Sequence, residues 1–429
     1  MSPAKKKILI LTLGTRGDVQ PFVALARRLA ASGHDVVLST GQGFEDMITA
    51  AGATPRPVSV NYADIVARPD ITKALHNSVG MIRIARWALQ VQRDIAEELW
   101  QIGLDTRPDL IVFNPKGVVG TLLGRALNVP AIPVMIQPMF SVTGAFPPNF
   151  LNLPNLGPAL NRLLQRAFTI LIDKGIRPSL KPVLKHVDPG IATRRLMAGH
   201  LPSGAPAPRL QAYSAVLADI PDDWPSTDPV TGYWFTDPDP VYIPPEALAA
   251  FLDAGPAPVY VGFGSMPSRK PAELTRTVLD AIEATGIRAI VALGWGGIEA
   301  GALRPGLSER VHVLKSAPHS WLFPRCAAVV HHGGAGTTHE GLRWGRPSLI
   351  CPVFGDQPYW GRRVARTGAG PAPLRAQKLT ADKLAGALRD LETPAYAKTA
   401  ARIADKMAAE GGLDEAATRL EALLAEDVR

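Results

Sequence analysis

The sequence predicts an α/β protein built from two parallel β-sheets with helices on their faces. Short, uniformly apolar runs alternate with amphipathic helical stretches, and this alternation stops in a proline-rich region and then begins again. The length of 429 residues points the same way, because one ordinary hydrophobic core does not extend over so long a chain. We therefore expect two α/β domains in tandem.

The first half opens with a strand, a helix and a second strand. KKILILTL is a continuous apolar run that ends at Gly14, which is typical of a buried parallel strand. In PFVALARRLAASG the apolar residues share one helical face, and Pro21 suits the first turn of that helix. DVVLST, PDLIVF and PAIPVM are the next predicted strands. Residues 139–210 predict an insertion with a helix near 161–173 that shapes a pocket.

The proline-dense stretch 222–258 predicts the region between the domains, with VTGYW as a candidate strand within it. After it, the pattern restarts with the predicted strands APVYVGFGS, RAIVAL, VHVLKSAP, AAVVHHGG and PSLICPV. The chain is thus expected to divide into a first α/β domain over 1–225, a linker over 226–257, a second α/β domain over 258–410, and a C-terminal helix within 411–429 that packs back on the first half.

Composition narrows the class of protein. Hydrophobic residues make up 46% of the chain and charged residues 20%, as in globular proteins, and the net charge is +8. The basic residues are scattered and do not interleave with aromatic ones, which argues against nucleic acid as a partner. Cys326 and Cys351 adjoin apolar runs, which favours a reducing, cytoplasmic compartment. No run of eighteen apolar residues occurs, so we expect at most a peripheral membrane contact through the basic surface.

Three glycine-containing turns follow predicted strands, at 14–18, 262–265 and 333–336. Ligands of open parallel sheets bind at the carboxyl ends of the strands, so all three turns should face one cleft between the domains. The third turn lies in VVHHGGAGTTHEGLRWGRP, which holds three histidines. Their spacing does not match a zinc site and no cysteine pair stands near, so we expect no metal. A glycine turn with buried histidines is the structural alternative.

The same stretch predicts a cradle for phosphate. Its glycines let the backbone approach a ligand closely, and the start of the helix that follows offers unpaired N–H groups to an anion. Thr337 adds a hydroxyl donor and His332 can donate to a phosphate oxygen. Glu340, about one turn further on, could accept hydrogen bonds from two adjacent sugar hydroxyls.

Two long motifs carry a resemblance to a known family. HGGAGTTHE followed by PVFGDQPYWGRRV resembles the donor-binding signature of the UDP-sugar glycosyltransferases, in the branch of the sterol glucosyltransferases and bacterial glycopeptide glucosyltransferases. LTLGTRGDVQPFVALARRLAASGHDV resembles the opening of that branch, and VTGYWF and SAPHSWLFPR also fit it. The resemblance implies the GT-B fold, in which two facing Rossmann-like domains enclose a cleft. It also implies inversion at the anomeric carbon, UDP-glucose as co-substrate, and neither metal nor cofactor.

The resemblance also implies roles for single residues. Glu340 would hold the ribose, Asp356 and Gln357 the sugar hydroxyls, and Ser265 would lie near the β-phosphate. The other implied donor contacts are Thr15, Ala317, His319, His332, Gly334, Gly336 and Thr337. Plant relatives stack a tryptophan on the base where this chain has Ser316, so Trp295 or Trp321 could supply the stacking ring instead.

Asp18, in the turn GTRGDVQP, is the candidate catalytic base, because plant-type relatives have a histidine at the matching place. A carboxylate is a weak base, so proton removal would be late and concerted with attack. The alternative is that Asp18 caps the following helix. Asn114 stands where those relatives carry an orienting aspartate, and Asn114 and Arg16 are candidate supports.

The acceptor is the least determined part of the prediction. Met139, Phe140, Phe146 and Phe150 would suit a flat apolar acceptor such as a sterol, triterpenoid, flavonoid or macrolide, or they are ordinary core. Two alternative functions stay open: a dTDP-sugar-dependent antibiotic glycosyltransferase, and a non-catalytic nucleotide-sugar-binding or lipid-binding protein of the same fold. An epimerase of this fold would be told apart by its failure to form a new glycoside. The oligomeric state is not predicted.

Overall fold

The computed structural model describes residues 5–62, 64, 78–151, 153–188, 190, 195–236, 242–264, 271–292 and 306–426. These residues form two parallel sheets, one in each half of the chain, which confirms the predicted α/β class. Each predicted apolar run contains a strand, and these strands are mostly buried, as expected where helices cover both faces of a parallel sheet. The strand within VHVLKSAP is the exception, because His312 and Val313 are half-buried.

The first sheet has six strands in the order β3-β2-β1-β4-β5-β6. Their bounds are β1 Lys7–Leu11, β2 Asp35–Ser39, β3 Thr54–Pro55, β4 Leu110–Phe113, β5 Ala131–Met135 and β6 Leu210–Gln211. The helices of this half are α1 Arg16–Ala31, α2 Glu45–Ala50, α3 Ser78–Thr106, α4 Val119–Leu127, α5 Pro158–Ile176 and α6 Lys181–Leu184. Side chains of β1 alternate between the two cores, since Leu9 lies in one cluster and Ile8 in the other.

The second sheet has five strands in the order β11-β10-β7-β8-β9. Their bounds are β7 Val259–Gly262, β8 Ala289–Ala292, β9 Val311–Leu314, β10 Ala328–His331 and β11 Ser348–Ile350. The helices are α7 Glu246–Asp253, α8 Pro271–Thr285, α9 His319–Leu322, α10 Ala335–Arg343, α11 Gln357–Thr367, α12 Ala381–Leu391, α13 Pro394–Ala408 and α14 Gly412–Glu426. In both sheets the first strand of the half lies centrally, so the turns after β1, β7 and β10 sit at carboxyl edges.

The last helix returns to the first half. Ala416, Leu420 and other buried residues of α14 share a hydrophobic cluster with α1, and Arg28 Nε lies 2.6 Å from Asp414 Oδ1. A second junction joins the halves at the turn that begins with Ser214. The Ser214 N–H donates to His339 Nε2 at 3.1 Å, and Glu410 Oε1 accepts from Ser214 Oγ at 3.0 Å. The halves are therefore held together on both sides of the interdomain segment.

Three details of the predicted elements are wrong. The first helix begins at Arg16, so Pro21 lies inside α1 and not in its first turn. VTGYW is not a strand. Val230 forms one isolated bridge to Gln211, and the aromatic side chains that follow pack into hydrophobic clusters. The helix of the glycine turn, which the sequence predicts over 337–344, begins two residues earlier at Ala335, because Gly334 is its N-cap.

Candidate active site

The loop after β1 carries the first part of the site, and Asn114 holds this loop in place. The buried Asn114 side chain donates from Nδ2 to Thr12 Oγ1 and to the Leu13 carbonyl, each at 3.0 Å. Thr12 Oγ1 donates in turn to the Asp18 carbonyl at 3.0 Å. Asn114 therefore acts on Asp18 through the backbone of this loop.

Asp18 is the third residue of α1, where its carboxylate caps the N-terminus of the helix. Its Oδ2 accepts from the Thr15 N–H at 2.9 Å and lies 3.4 Å from Thr15 Oγ1, which forms a capping box. Gly14 makes this approach possible, because a Cβ there would lie 2.1 Å from Asp18 Oδ2. The capping role that was the alternative reading of Asp18 is therefore present, and it leaves the second carboxylate oxygen, Oδ1, to other partners.

Lys116 is a site residue that the sequence analysis missed. Its Nζ lies 3.0 Å from Asp18 Oδ2, with the two side chains 48% and 21% exposed. A short 3-10 helix over Pro115–Gly117, capped by Asn114, presents Lys116 at the carboxyl edge of β4. Because β1 and β4 are neighbours, residues just after them meet at one edge. That adjacency is the signal that could have found Lys116.

Arg16 faces the other half of the protein. Its side chain is exposed, and its Nε donates to Gln20 Oε1 at 3.3 Å. Its positive charge contributes to lowering the pKa of His319, which belongs to the second half. Gln20 in turn donates to Thr236 Oγ1 at 2.9 Å. The start of α1 therefore lines the cleft between the two halves.

The turn after β10 encloses His332 between glycine backbones. A Cβ on Gly264 would lie 2.8 Å from His332 Cε1, and one on Gly334 would lie 2.7 Å from His332 Nε2. Gly333 has a φ of +93°, and a Cβ there would lie 2.4 Å from Ile350 Cγ2. His332 Nδ1 is buried without a hydrogen-bond partner, and burial lowers the pKa of this imidazole to about 4. The ring is therefore neutral at physiological pH.

The first turn of α10 supplies the donors of the predicted cradle. Its leading N–H groups have no acceptor within the helix, and no acidic residue stands in that turn. Thr338 Oγ1 donates to the Gly334 carbonyl at 2.9 Å, whereas the Thr337 hydroxyl, half-buried, bonds to none of the described residues. At Gly336 a Cβ would lie 3.0 Å from the Tyr233 hydroxyl, so a small residue lets the interdomain segment pack against α10.

Glu340 is buried, and its carboxylate already has two polar neighbours. Its Oε1 accepts from Trp344 Nε1 at 2.7 Å, and its Oε2 lies 3.8 Å from Arg343 Nη1. Burial raises the pKa of the carboxyl, and these two partners oppose that shift. A ribose contact would therefore fall to Oε2, and it stays a prediction.

Asp356 and Gln357 start α11, but they differ in their surroundings. Asp356 Oδ2 accepts from Trp360 Nε1 at 2.9 Å, and burial raises the pKa of Asp356 to about 6. The charge of Asp18 raises the pKa of Asp356 further, and the charge of Lys116 lowers it. The carboxyl edges of the two sheets therefore lie close together here. Gln357 is 4% exposed, and its Oε1 accepts from the N–H groups of the loop that precedes α11.

The residues predicted to contact the nucleotide base lie in and next to α9. His319 Nε2 lies 3.3 Å from the Tyr260 hydroxyl, its ring stacks on Phe323 with centroids 4.3 Å apart, and burial lowers its pKa to about 4. Ala317, which precedes α9, is half-buried. The Trp321 ring lies under the Arg325 guanidinium, 4.2 Å from its centroid, and also contacts the Tyr242 ring edge-on, with ring centroids 5.2 Å apart. Ser265 and Trp295 lie outside the described residues.

The segment after β5 carries the acceptor candidates. Phe140 has a φ of +65°, its carbonyl accepts from Arg209 Nη1 at 2.8 Å, and its ring stacks on Phe168. Met139 packs on the core beside it, and Phe146 is half-buried. The backbone of Phe150 lies in a 3-10 helix, Asn149–Leu151. Phe140 is 4% exposed, so it supports the segment and offers little surface itself.

Two further searches cover the described residues only. In that part of the chain no three His, Cys, Asp or Glu side chains come together as a metal-binding group. Likewise, none of the helices described is long and apolar enough to cross a lipid bilayer.

Comparison with known proteins agrees with this architecture. Residues 8–102 match the family model described as Glycosyltransferase family 28 N-terminal domain, and residues 278–423 match Erythromycin biosynthesis protein CIII-like, C-terminal domain. A sterol 3-beta-glucosyltransferase of Arabidopsis thaliana is 34% identical over 416 residues, which are 95% of this chain and 64% of that protein. The O-mycaminosyltylonolide 6-deoxyallosyltransferase of Streptomyces fradiae is 33% identical over 435 residues, with 97% of each chain covered.

The fold also matches solved structures. Glycosyltransferase VinC in complex with dTDP superimposes with a TM-score of 0.66 and 21% identity, over 98% of this chain and all of that one. Two facing parallel α/β halves with a cleft at their strand ends define the GT-B class. Given the full-length similarity to the Streptomyces enzyme, the chain belongs to the nucleotide-sugar glycosyltransferases of that fold. It spans 64% of the length of the plant sterol enzyme.

Proposed function

We propose that the protein transfers a hexose from a nucleotide sugar, most simply glucose from UDP-glucose, to a hydroxyl of an apolar acceptor. One observation carries the proposal: a helix start lined with hydrogen-bond donors and a carboxylate paired with a lysine face the same cleft from opposite halves. An anionic donor and a hydroxyl nucleophile need these two environments within reach of each other.

The diphosphate would bind at the start of α10. The leading N–H groups of the helix, the Thr337 hydroxyl and neutral His332 are donors, and the helix dipole favours an anion there. No resident metal is needed in this proposal, because these donors supply the electrostatic stabilisation of the leaving group. Chelator should therefore leave turnover intact, whereas loss of activity in EDTA with recovery on adding a divalent ion would remove this part.

The remaining donor contacts are those that the family resemblance implies. Glu340 Oε2 would accept from the ribose and Asp356 from the sugar hydroxyls, since both carboxylates keep one oxygen outside their internal bonds. Gln357 would serve mainly by fixing the loop before α11, with its amide turned to the sugar. Thr15, Ser265, Gly334, Gly336, Ala317 and His319 complete the proposed donor site.

Asp18 would take the proton of the acceptor hydroxyl. Its Oδ2 is fixed by the Thr15 N–H and by Lys116, which leaves Oδ1 as the oxygen that meets the hydroxyl. The oxygen of the acceptor then forms its bond to the anomeric carbon while the bond to the diphosphate breaks on the opposite face. Lys116 would orient the Asp18 carboxylate, and Asn114 would hold the loop beneath it.

A second candidate has its own support. The Streptomyces fradiae relative, covered over 97% of its length, is named for transferring a deoxyallose, and the VinC structure contains dTDP. A dTDP-deoxysugar is therefore the alternative donor, with a macrolide-like aglycone as acceptor. The similarity to sterol enzymes favours UDP-glucose and a sterol or triterpenoid.

The test is a mass-spectrometric screen of apolar alcohols and phenols against UDP-glucose and dTDP-glucose in parallel. We expect a product heavier by one hexose, with release of one nucleoside diphosphate for each glycoside. Products with dTDP-sugars alone would select the alternative donor. Nucleotide binding without any glycoside across the acceptor panel would instead support a non-catalytic binding protein.

A further inference from the structure

An apolar surface lies on α5 and the loop before it. Of the large apolar side chains that are exposed in the described part of the chain, seven of eleven fall within this one segment. We name this set the α5 surface; its members are Leu151, Leu153, Leu156, Leu160, Leu163, Ile170 and Leu171. So many exposed large apolar side chains within one segment are unusual on a globular protein unless the segment binds something.

The outer side of α5 is apolar as well as its inner side. Phe168 and other apolar residues pack on the core from the inner side, where the polar Asn161 and Asp173 are also buried, whereas Leu163 and Leu171 on the outer side are 61% and 68% exposed. The buried polar side chains are satisfied: Asn161 donates to the Gly144 carbonyl at 2.9 Å, and Asp173 accepts from the Leu196 N–H at 2.7 Å. Internal packing therefore does not explain the exposed leucines.

Positive charge borders this apolar stripe. Arg166 and Lys174 are exposed on α5, and neither forms an ion pair with any residue that the structure describes. The one acid of the helix, Asp173, is buried and paired with Arg177 at 2.9 Å. The exposed side of α5 thus combines leucines with uncompensated cations and carries no exposed carboxylate of its own.

We infer that the α5 surface docks on a lipid bilayer that contains anionic headgroups. A helix with leucines on one side, flanked by lysine and arginine, lies in the plane of the membrane interface and gains both apolar burial and attraction to anionic lipid. With 19 residues, α5 is about 28 Å long and offers a line of contact, not a crossing. A second copy of this chain fits less well, because a symmetric contact would bring two cationic margins together.

Docking here would bring the membrane next to the acceptor segment. Gln165, on the inner side of α5, donates to the Phe146 carbonyl at 3.1 Å, and Phe168 stacks on Phe140. An apolar acceptor dissolved in the bilayer would then reach the cleft over a short path. This use of the surface rests on the proposed function, whereas the lipid binding itself does not.

Lipid binding can be measured without donor or acceptor. The full-length protein is sedimented with vesicles of phosphatidylcholine alone and with vesicles that also contain phosphatidylglycerol. We expect binding to the anionic vesicles that weakens as salt is added, and at least tenfold weaker binding by Leu163→Glu with Leu171→Glu. Arg166→Gln and Lys174→Gln should each weaken it about fivefold.

Ile220→Glu with Ile243→Glu is the matched control, because both isoleucines are exposed apolar residues outside α5. This control should bind vesicles like the wild type, and all variants should keep the wild-type unfolding midpoint. The inference is overturned if the wild type does not bind anionic vesicles, if the leucine variants bind as well as the control, or if light scattering shows a dimer that these variants dissolve. Turnover with a water-soluble acceptor reports separately on the proposed reaction.

Discussion

The N-terminus of α1 and the N-terminus of α10 have the same local design and opposite chemistry. Each follows an interior strand and a glycine of positive φ, and each points into the cleft. In α1 the third helical residue is Asp18, whose carboxylate caps the helix. In α10 the third residue is Thr337, and no acid stands in the first turn. The protein thus satisfies one helix start with its own anion and keeps the other suited to the anion of a ligand.

The N-termini of α1 and α10 also differ in how deeply their side chains are buried. The side chains of Asp18 and Lys116 stay partly exposed, so both can carry charge. The histidines around α10 are held neutral, and burial lowers the pKa of His332 to about 4. A neutral donor-rich pocket accepts a diphosphate without first breaking an internal ion pair. We therefore propose that proton transfer takes place at the start of α1 and donor binding at the start of α10.

The largest expected effect is on the rate of Asp18→Asn. The amide keeps an oxygen for the Thr15 N–H but cannot take a proton, so glycoside formation should fall about 10²–10⁴-fold. Affinity for UDP, measured by calorimetry, should stay within a few-fold of wild type. If the rate scarcely changes, Asp18 is a cap and not a base.

His332→Ala should produce the next largest effect, on nucleotide affinity. Loss of one hydrogen bond to the diphosphate costs about 1–3 kcal/mol, which weakens UDP binding roughly 5–150-fold. His312→Ala is the matched control, because His312 lies on β9 and contacts Phe251. Equal affinity in the two variants would exclude His332 from the donor site.

Asp356→Asn should distinguish contacts with the sugar of the donor from contacts with its nucleotide. The amide oxygen can still accept from Trp360 Nε1, so the start of α11 should persist. Affinity for UDP should be unchanged, because UDP has no hexose, while kcat/KM for UDP-glucose should fall about tenfold, the worth of one hydrogen bond to a charged group. A parallel loss of UDP affinity would place Asp356 at the nucleotide instead.

Lys116→Met should have the smallest effect. Because both partners are partly exposed, the ion pair with Asp18 should contribute no more than about 0.2–1 kcal/mol, a loss of up to fivefold in rate. Lys116→Arg should restore most of the rate. Lys185→Met, which removes the surface pair with Glu97, serves as control and should leave turnover unaltered. A loss far above fivefold would assign Lys116 a direct contact with substrate.

The strands could be predicted from sequence because buried parallel strands are uniformly apolar. The starts of α1 and α10 could not, because capping side chains and glycine geometry determine them, not apolar periodicity. VTGYW has strand-like composition, yet Trp234 packs on Phe22 with ring centroids 5.7 Å apart, and Tyr233 stacks on His339. Tertiary packing thus overrides propensity in this segment.

The candidate site, like the fold, could be predicted from the sequence only in part. The residue types at the cradle and at Asp18 could be read from the motifs. Their internal partners could not: Glu340 bonds Trp344, and Gln357 holds its own loop. The Lys116 contact joins residues about a hundred positions apart, and it needs the neighbouring positions of β1 and β4 in the sheet.

The comparison between α1 and α10 can be tested by making the two helix starts alike. Thr337→Asp places a carboxylate at the position that Asp18 holds in α1, and Thr337→Asn is the uncharged control. The measurement is calorimetric titration of both variants with UDP. The new carboxylate should stabilise the fold slightly, by about 0.3–1 kcal/mol, because it caps the helix. It should also repel the diphosphate, so UDP affinity should fall at least a hundredfold for Thr337→Asp and only a few-fold for Thr337→Asn. Equal, near-wild-type affinity in both variants would contradict donor binding at the start of α10.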